Sequence, residues 1–381
     1  MTAEILQFEP SKLEHQAQRL AKAIQSGALV ALPTETVYGI AAAPTSTFAI
    51  ERLSRLKERT PESPFSLVVP DLESARKLAA PWKPKVEKLF RRVCPGPITF
   101  VLPLREGALD AFPPIATQAC APKGTVGIRI PDHPLTLEIL QIIGVPLLLT
   151  SANHHGVPDP LDGKQVIDDL KNDVDIIVDD GLTRWKQSST VVKFDGATPT
   201  ILRAGALSPA QIRRISSNIV LFVCSGNTCR SPIAETLFRK EMAEQLKCSP
   251  DRLEEKGWFA LSCGLCAISG MPASDFAKAV MKQKGLDLSG HAAQTVSETL
   301  IRYADYIFTL CESHRKALVA AFPQAAERIR LLNPENVDIL DPYGGTMEFY
   351  QTCARQIENA VHQRVITLLS KEKGNGSKKG K

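Results

Sequence analysis

The chain has 381 residues, 44% of them hydrophobic and 23% charged, with a formal net charge of +5. That length exceeds one comfortable hydrophobic core, so two domains are expected. The last eleven residues, Lys371 to Lys381, hold five Lys and one Glu; the remainder is nearly neutral, which argues against a broad nucleic-acid surface, and no apolar run approaches the roughly 20 residues of a membrane span.

In chain order, Pro10 to Gln25 reads as an amphipathic helix, with Leu13, Ala17, Leu20, Ala21 and Ile24 on one face and Gly27 closing it. Ala28 to Leu32 is a continuous apolar run of buried-strand type. It leads into Pro33-Thr34-Glu35-Thr36-Val37-Tyr38-Gly39, a cluster of hydroxyls, a carboxylate and a phenol at a strand end, where open α/β sheets hold ligands. A helix from about Thr47 ends on Lys57 and Arg59, cations that complement its carbonyl end. Strands are read at Phe65 to Val69 and Ile98 to Leu104, with a Pro-bounded segment from Trp82 to Val93 between them. Arg129 lies inside the apolar block Gly124 to Pro131, where it either meets an anionic ligand or faces water on an edge strand. Pro146 to Leu149 ends in Thr150-Ser151-Ala152-Asn153, and Ser188-Ser189-Thr190 and Arg203 follow at later strand positions. Taken singly, such residues are turn and cap formers. His154-His155 reads as a solvent-facing loop pair. Ser208 to Ile215 is a short capped helix, and the polar joint Ser216-Ser217-Asn218 marks a boundary between domains at 10–215 and 218–370.

Beyond the joint, strands at 219–223, 258–262, 306–310 and 329–332 alternate with helices at 232–246, 273–284, 312–322 and 347–369, the pattern of a parallel sheet covered on both faces. The first strand runs into Cys224-Ser225-Gly226-Asn227-Thr228-Cys229-Arg230-Ser231-Pro232 and then a helix. A helix start presents unpaired N–H groups and the positive end of a dipole, so it cradles an oxyanion and favours a thiolate. Cys224 is placed as a nucleophile, Arg230 folds back to grip two anion oxygens, and Gly226 and Asn227 suit a left-handed backbone. Of nine cysteines, seven follow residue 200. An odd count without a readable leader in Met1 to Gln16 suits a reducing cytosol, so a cytoplasmic location is expected. Cys263-Gly264-Leu265-Cys266 lacks the second pair that zinc would need, and no metal site is expected. Residues 371–381 read as a disordered basic tail.

In their order, the Pro-Thr-Glu-Thr-Val-Tyr-Gly block at 33–39, Lys-x-Arg at 57–59, Thr-x-x-x-Arg at 125–129, Ser-Ala-Asn at 151–153, Ser-Thr-Val at 189–191 and Arg203 resemble the YrdC-like threonylcarbamoyl-AMP synthases. The resemblance implies a twisted open mixed sheet with helices over about residues 10 to 215. It also implies condensation of L-threonine with bicarbonate and adenylation by ATP, with Mg2+ accompanying the nucleotide, for tRNA threonylcarbamoyladenosine modification. On it, Thr34, Arg129, Ser151 and Ser189 would hold threonine. Lys57, Arg59, Ser63, Thr125, Asn153 and Arg203 would hold ATP. Ser63 and Val68 stand where many members carry Asn and His, and a non-catalytic nucleotide- or RNA-binding module is the alternative. Downstream tRNA-modifying proteins and tRNA or double-stranded RNA are conceivable partners, the latter without support from charge.

The second half resembles the low-molecular-weight protein tyrosine phosphatases, through the loop at 224–232 and Asp341-Pro342-Tyr343-Gly344-Gly345. That family implies a doubly wound parallel α/β sheet, a phosphoprotein substrate and no cofactor. Cys224 would attack phosphorus, Arg230 would hold the equatorial oxygens, Ser231 would stabilise the thiolate and Asp341 would protonate the leaving group. Cys229 would form a reversible disulfide with Cys224. Ser225, Gly226, Asn227 and Thr228 complete the loop. Thr228 stands where tyrosine-directed members carry Ile or Leu and arginine-directed ones carry Thr, so phosphotyrosine and phosphoarginine both stay open.

Overall fold

The computed structural model describes residues 2–58, 63–195 and 198–377, which divide into two compact units, Met1–Ile212 and Arg213–Lys381. The first unit opens with β1 (Glu4–Gln7), α1 (Leu13–Gln25), β2 (Val30–Leu32), β3 (Gly39–Ala42), α2 (Thr47–Leu56) and β4 (Ser66–Val68). It continues with α3 (Leu72–Leu78), α4 (Pro84–Val93), β5 (Ile98–Pro103), α5 (Pro114–Cys120), β6 (Thr125–Arg129), α6 (Pro134–Ile143) and β7 (Leu147–Ser151). It closes with α7 (Gly163–Leu170), β8 (Ile176–Asp179), β9 (Thr190–Asp195), β10 (Thr198–Arg203) and α8 (Pro209–Ser216), within which the division between units falls.

All ten strands form one sheet in the order β1-β8-β2-β3-β7-β4-β6-β5-β9-β10. It is mixed, as expected: β1, β8 and β2 run parallel to one another, while β3 is antiparallel to both β2 and β7. Val30, Ala31 and Leu32 are fully buried, which is why β2 reads as an unbroken apolar run. The apolar face of α1, carried by Ala17, Leu20, Ala21 and Ile24, packs with Leu135, Ile139 and Leu140 of α6. Two of the helices absent from the sequence reading had clear signals. Pro134 opens α6 and Gly144 closes it at φ +72°. Asp162 caps α7 by accepting from the Gln165 N–H at 2.8 Å, while the Gln165 side chain accepts from the Leu161 N–H. The β1 strand had none, being short, mostly exposed and at the sheet edge.

The second unit runs β11 (Asn218–Cys224), α9 (Arg230–Gln245), β12 (Trp258–Gly264), α10 (Asp275–Gln283), α11 (Glu298–Tyr303), β13 (Tyr306–Thr309), α12 (Glu312–Ala321), β14 (Ile329–Leu331) and α13 (Met347–Ser377). Its sheet, ordered β12-β11-β13-β14, is parallel throughout. Strand alternation sends Val220, Phe222 and Cys224 into one apolar layer with α9, α10 and α13. Ile219, Leu221 and Val223 enter the opposite layer with α11 and α12. Because β12 lies on one side of β11 and β13 on the other, a topological switch point opens at the C-terminal end of β11, where Cys224 sits. α13 carries helix through Ser377, within the stretch 371–381 expected as a tail, helped there by the helix formers Lys371 and Glu372; residues 378–381 lie outside the described residues. Among the described residues, no helix is long and apolar enough to cross a membrane.

Candidate active sites

In the first unit, alternate residues of β6 (Thr125, Gly127, Arg129) and β9 (Val191, Lys193) face a cavity of about 490 Å³. Five of the expected residues line it: Thr125, Arg129, Ser151, Ser189 and Arg203. Arg129 is 6% exposed. One of its terminal nitrogens donates to Glu35 Oε1 at 2.9 Å, to Thr36 Oγ1 at 2.6 Å and to Thr34 Oγ1 at 3.3 Å. Its buried Nε–H has no acceptor among the described residues. Thr34 therefore stands behind Arg129 and donates its own hydroxyl hydrogen to the Val37 carbonyl at 2.6 Å. Glu35, which the sequence reading left without a role, also accepts from the Asp132 N–H at 2.9 Å and ties the motif at 33–39 to the loop after β6.

Lys57 is buried and donates to the Ser151 carbonyl at 3.2 Å and to both the carbonyl and Oδ1 of Asn153 at 2.6 Å. It thus meets the end of β7. Ser151 Oγ donates to Asn153 Oδ1 at 2.7 Å. Arg203 donates to the Ser189 carbonyl at 2.9 Å and to its Oγ at 3.2 Å, and burial holds its guanidinium below the ordinary arginine range. Ser189 in turn shares a 2.9 Å bond with Thr99 Oγ1. Ser63 is exposed beside the lining residue Pro64, and Val68 lines the cavity. Arg59 lies outside the described residues. Lys123, Lys193 and Asp159 also face the cavity. None of the three belongs to a motif of the sequence reading, and only the strand alternation from Ser189 through Val191 to Lys193 could have pointed to one of them.

In the second unit, the loop from Cys224 closes on its own thiol. Cys224 Sγ accepts from the Asn227 N–H at 3.2 Å and lies 3.0 Å from Ser231 Oγ. Asn227 is fully buried at φ +54°, a left-handed conformation that Asn tolerates. Its amide donates to Ser231 Oγ and Ser262 Oγ, each at 2.9 Å, and its Oδ1 accepts from the Gln294 N–H at 2.9 Å. Ser262 Oγ donates to Glu235 at 2.7 Å, a half-buried carboxyl whose pKa is raised by desolvation. Strand β12 approaches so closely that a Cβ on Gly264 would stand 2.5 Å from the Ser225 carbonyl oxygen and 2.9 Å from the Asn227 nitrogen.

Arg230 pairs at 2.5 Å with Asp341, whose side chain is half exposed, so the two groups face each other across the loop mouth. Thr228, half-buried, lies 3.6 Å through its hydroxyl from Cys229 Sγ. Cys229 Sγ also contacts Ser274 Oγ at 3.4 Å and Tyr350 Oη at 3.2 Å. His314, unanticipated, lies 2.9 Å through Nε2 from Ser225 Oγ. Burial and the neighbouring Arg230 cation pull its pKa down to about 4. Of the Cys-x-x-Cys pair, Cys263 is buried, its thiol pushed up to about 12, and Cys266 is exposed. Among the described residues, no group of three or more His, Cys, Asp or Glu side chains is arranged to hold a metal ion.

Two family models match the chain: Sua5/yciO/yrdC, described as telomere recombination, over residues 22–205, and low molecular weight phosphotyrosine protein phosphatase over residues 219–375. A threonylcarbamoyl-AMP synthase of Bacillus subtilis is 34% identical over 54% of this chain and 58% of its own length, so the chain spans less than two thirds of that relative. A protein-arginine-phosphatase of Geobacillus stearothermophilus is 29% identical over 40% of this chain and 97% of its own length. The solved structure of Pyrococcus abyssi Sua5 with L-threonine is 20% identical, with a TM-score of 0.50 over 95% of this chain and 98% of that one. At that identity it speaks for the fold alone.

Proposed function

Since the chain belongs to the Sua5/YrdC family through its first half and to the low-molecular-weight phosphatase family through its second, we propose that it is a bifunctional enzyme. The first unit forms threonylcarbamoyl-adenylate from L-threonine, bicarbonate and ATP, for tRNA modification. The second hydrolyses a protein phosphoresidue.

The observation that carries the synthase reading is the buried Nε–H of Arg129, a cationic donor at the cavity wall without an acceptor. A carboxylate answers it at the lowest cost, since an unpaired buried donor forfeits about 1–3 kcal/mol. Arg129 therefore takes the threonine carboxylate, with Thr34, Ser151 and Ser189 around it. Bicarbonate and the amino group join with loss of water, and the resulting carbamate oxygen attacks the α-phosphorus as the bond to pyrophosphate breaks. Arg203, Thr125 and Asn153 hold the nucleotide together with Lys57, Arg59 and Ser63, and the cations stabilise charge developing on the leaving group. Mg2+ bound with ATP would add to that stabilisation. Incubation of the full chain with the three substrates tests the reading. Pyrophosphate and threonylcarbamoyl-adenylate are the expected products, and their absence would overturn it.

In the second unit, Cys224 Sγ attacks phosphorus while the Ser231 hydroxyl and the Asn227 N–H steady the thiolate. The loop N–H groups and Arg230 take the oxygens, and Asp341 protonates the leaving group and then draws a proton from the hydrolytic water. The phosphocysteine is thereby cleaved and the thiolate restored. Thr228 leaves a small polar wall beside the loop, which together with the Geobacillus relative supports a phosphoguanidinium substrate. Cys224→Ser should abolish aryl-phosphate turnover. Thr228→Ile should shift preference from phosphoarginine toward phosphotyrosine peptides, and an unchanged ratio would remove the arginine reading.

A further inference from the structure

His314 stands in the first turn of α12 and is 5% exposed, with its Nε2 2.9 Å from the hydroxyl of Ser225, the exposed residue that follows the nucleophile. No step of the hydrolysis uses either side chain. The other ring nitrogen, Nδ1, is buried and has no partner among the described residues. A buried N–H without an acceptor is rarer than a buried lone pair without a donor, so the ring proton belongs on Nε2, which donates to Ser225 Oγ. The hydroxyl is left with a fixed position and a free lone pair. Its backbone is fixed too, since the Ser225 carbonyl accepts from the Cys266 N–H at 2.9 Å.

Ser225 and Thr228 belong to opposite flanks of the loop. The Thr228 carbonyl accepts from the Ser274 N–H just before α10, which packs in the layer of α9 and α13, whereas Ser225 is tied to α12 in the other layer. Asp341 faces the same mouth through its pair with Arg230. Oxygen-bearing side chains thus stand on both sides of the leaving group. A guanidinium presents several N–H donors in its plane and needs such acceptors, whereas a phenyl ring offers only carbon at the same positions. The His314 ring adds no repulsion toward a cation, because burial and Arg230 hold it neutral against the pull of Asp338 and Asp341.

We propose that the Ser225 hydroxyl, set by His314, accepts an N–H of the substrate's guanidinium and so makes the site select phosphoarginine over phosphotyrosine. His314 is a positioning residue in this assignment, which rests on the arginine reading and adds to it a second polar contact on the flank away from Thr228. The full chain is to be compared on phosphoarginine and phosphotyrosine peptides of the same flanking sequence, reading the ratio of the two kcat/KM values, with thermal melts as the check on folding. Ser225 carries the decisive arm, because its exposed side chain can be changed without disturbing the core. Ser225→Ala should lower the ratio about 10-fold, as a hydrogen bond to a charged group is lost, while Ser225→Thr, which keeps the hydroxyl, should retain it. His314→Leu should lower it about 3–10-fold, and His314→Gln, whose amide N–H replaces that of Nε2, should restore it. With Ser225→Ala already in place, His314→Leu should lower the ratio no further. Equal loss for both peptides in Ser225→Ala, or a further drop in the double variant, would overturn the assignment and leave the arginine reading standing. A native ratio that favours phosphotyrosine would overturn the arginine reading and this inference with it.

Discussion

Replacing Gly264 by Ala should disable the second unit's loop without touching any residue that meets substrate. Gly264 lies opposite Cys224 in the β11–β12 register, and an added Cβ would stand 2.5 Å from the Ser225 carbonyl oxygen, 2.9 Å from the Asn227 nitrogen and 3.0 Å from the Ala267 Cβ. Ordinary contact needs about 3.5 Å or more, so the loop must retreat from the strand by roughly 0.5–1 Å. It is stitched there by the Leu265 N–H to the Cys224 carbonyl and the Cys266 N–H to the Ser225 carbonyl, both at 2.9 Å, and the displacement strains them together. Overpacking of this kind costs about 1–3 kcal/mol of stability. The same shift moves the N–H cradle away from the phosphoryl oxygens, and a 1 Å misplacement costs about 100-fold in rate. Steady-state hydrolysis of an aryl phosphate, competitive inhibition by vanadate and thermal melts would together measure this. Wild-type kcat and vanadate affinity in a folded Gly264→Ala protein would refute the claim that the loop is positioned by close approach of β12.

Further predictions concern charge. His314, held neutral down to about 4, titrates near 6.5 when unfolded. The unfolded chain therefore binds the extra proton between those values, and the stabilisation is complete above about 6.5 and lost as pH falls toward 4, by up to about 3 kcal/mol. Denaturant melts of the native chain against His314→Gln should differ in slope in that window and run parallel above it. Asp341→Asn releases Arg230 from a half-exposed pair worth about 1 kcal/mol, so inorganic phosphate should inhibit several-fold more strongly while kcat falls about 100-fold or more; weaker inhibition would contradict the pairing. Arg129→Ala leaves Glu35, whose side chain is 1% exposed, without its counter-ion, and should cost about 3–5 kcal/mol, with Glu35→Gln in the same chain recovering part of it in urea melts.

The sequence carried most where one segment holds a whole constellation. The loop from Cys224 to Ser231 was legible because its nucleophile, its left-handed Asn227 and its arginine lie within eight residues, and the helix start that serves them follows at once. Arg129 was legible only as a cation in an apolar strand. What answers it, Glu35 and Thr36 at 2.9 and 2.6 Å, comes from 94 and 93 positions earlier, and such partners are fixed by sheet order rather than by spacing. The same reason hid His314, Gly264 and Asp159. His314 meets Ser225 across 89 residues. Gly264 matters only because β12 pairs with β11, and Asp159 joins the cavity lining only where the sheet brings β6 and β9 beside it. Lys57 was read as a helix-end charge and, through family likeness, as an ATP contact. Its ammonium also secures the end of β7, where Ser151 and Asn153 stand, a contact 94 to 96 residues away that helix-end spacing does not announce.

The most direct test of two independent chemistries in one chain is a paired measurement on the native protein, Arg129→Lys and Cys224→Ser. Each is assayed for threonine-dependent pyrophosphate release from ATP and for aryl-phosphate hydrolysis. The account predicts both activities in the native chain, loss of pyrophosphate release alone in Arg129→Lys, and loss of aryl-phosphate hydrolysis alone in Cys224→Ser. Absence of either activity from the native protein, or loss of both through a single substitution, would contradict it.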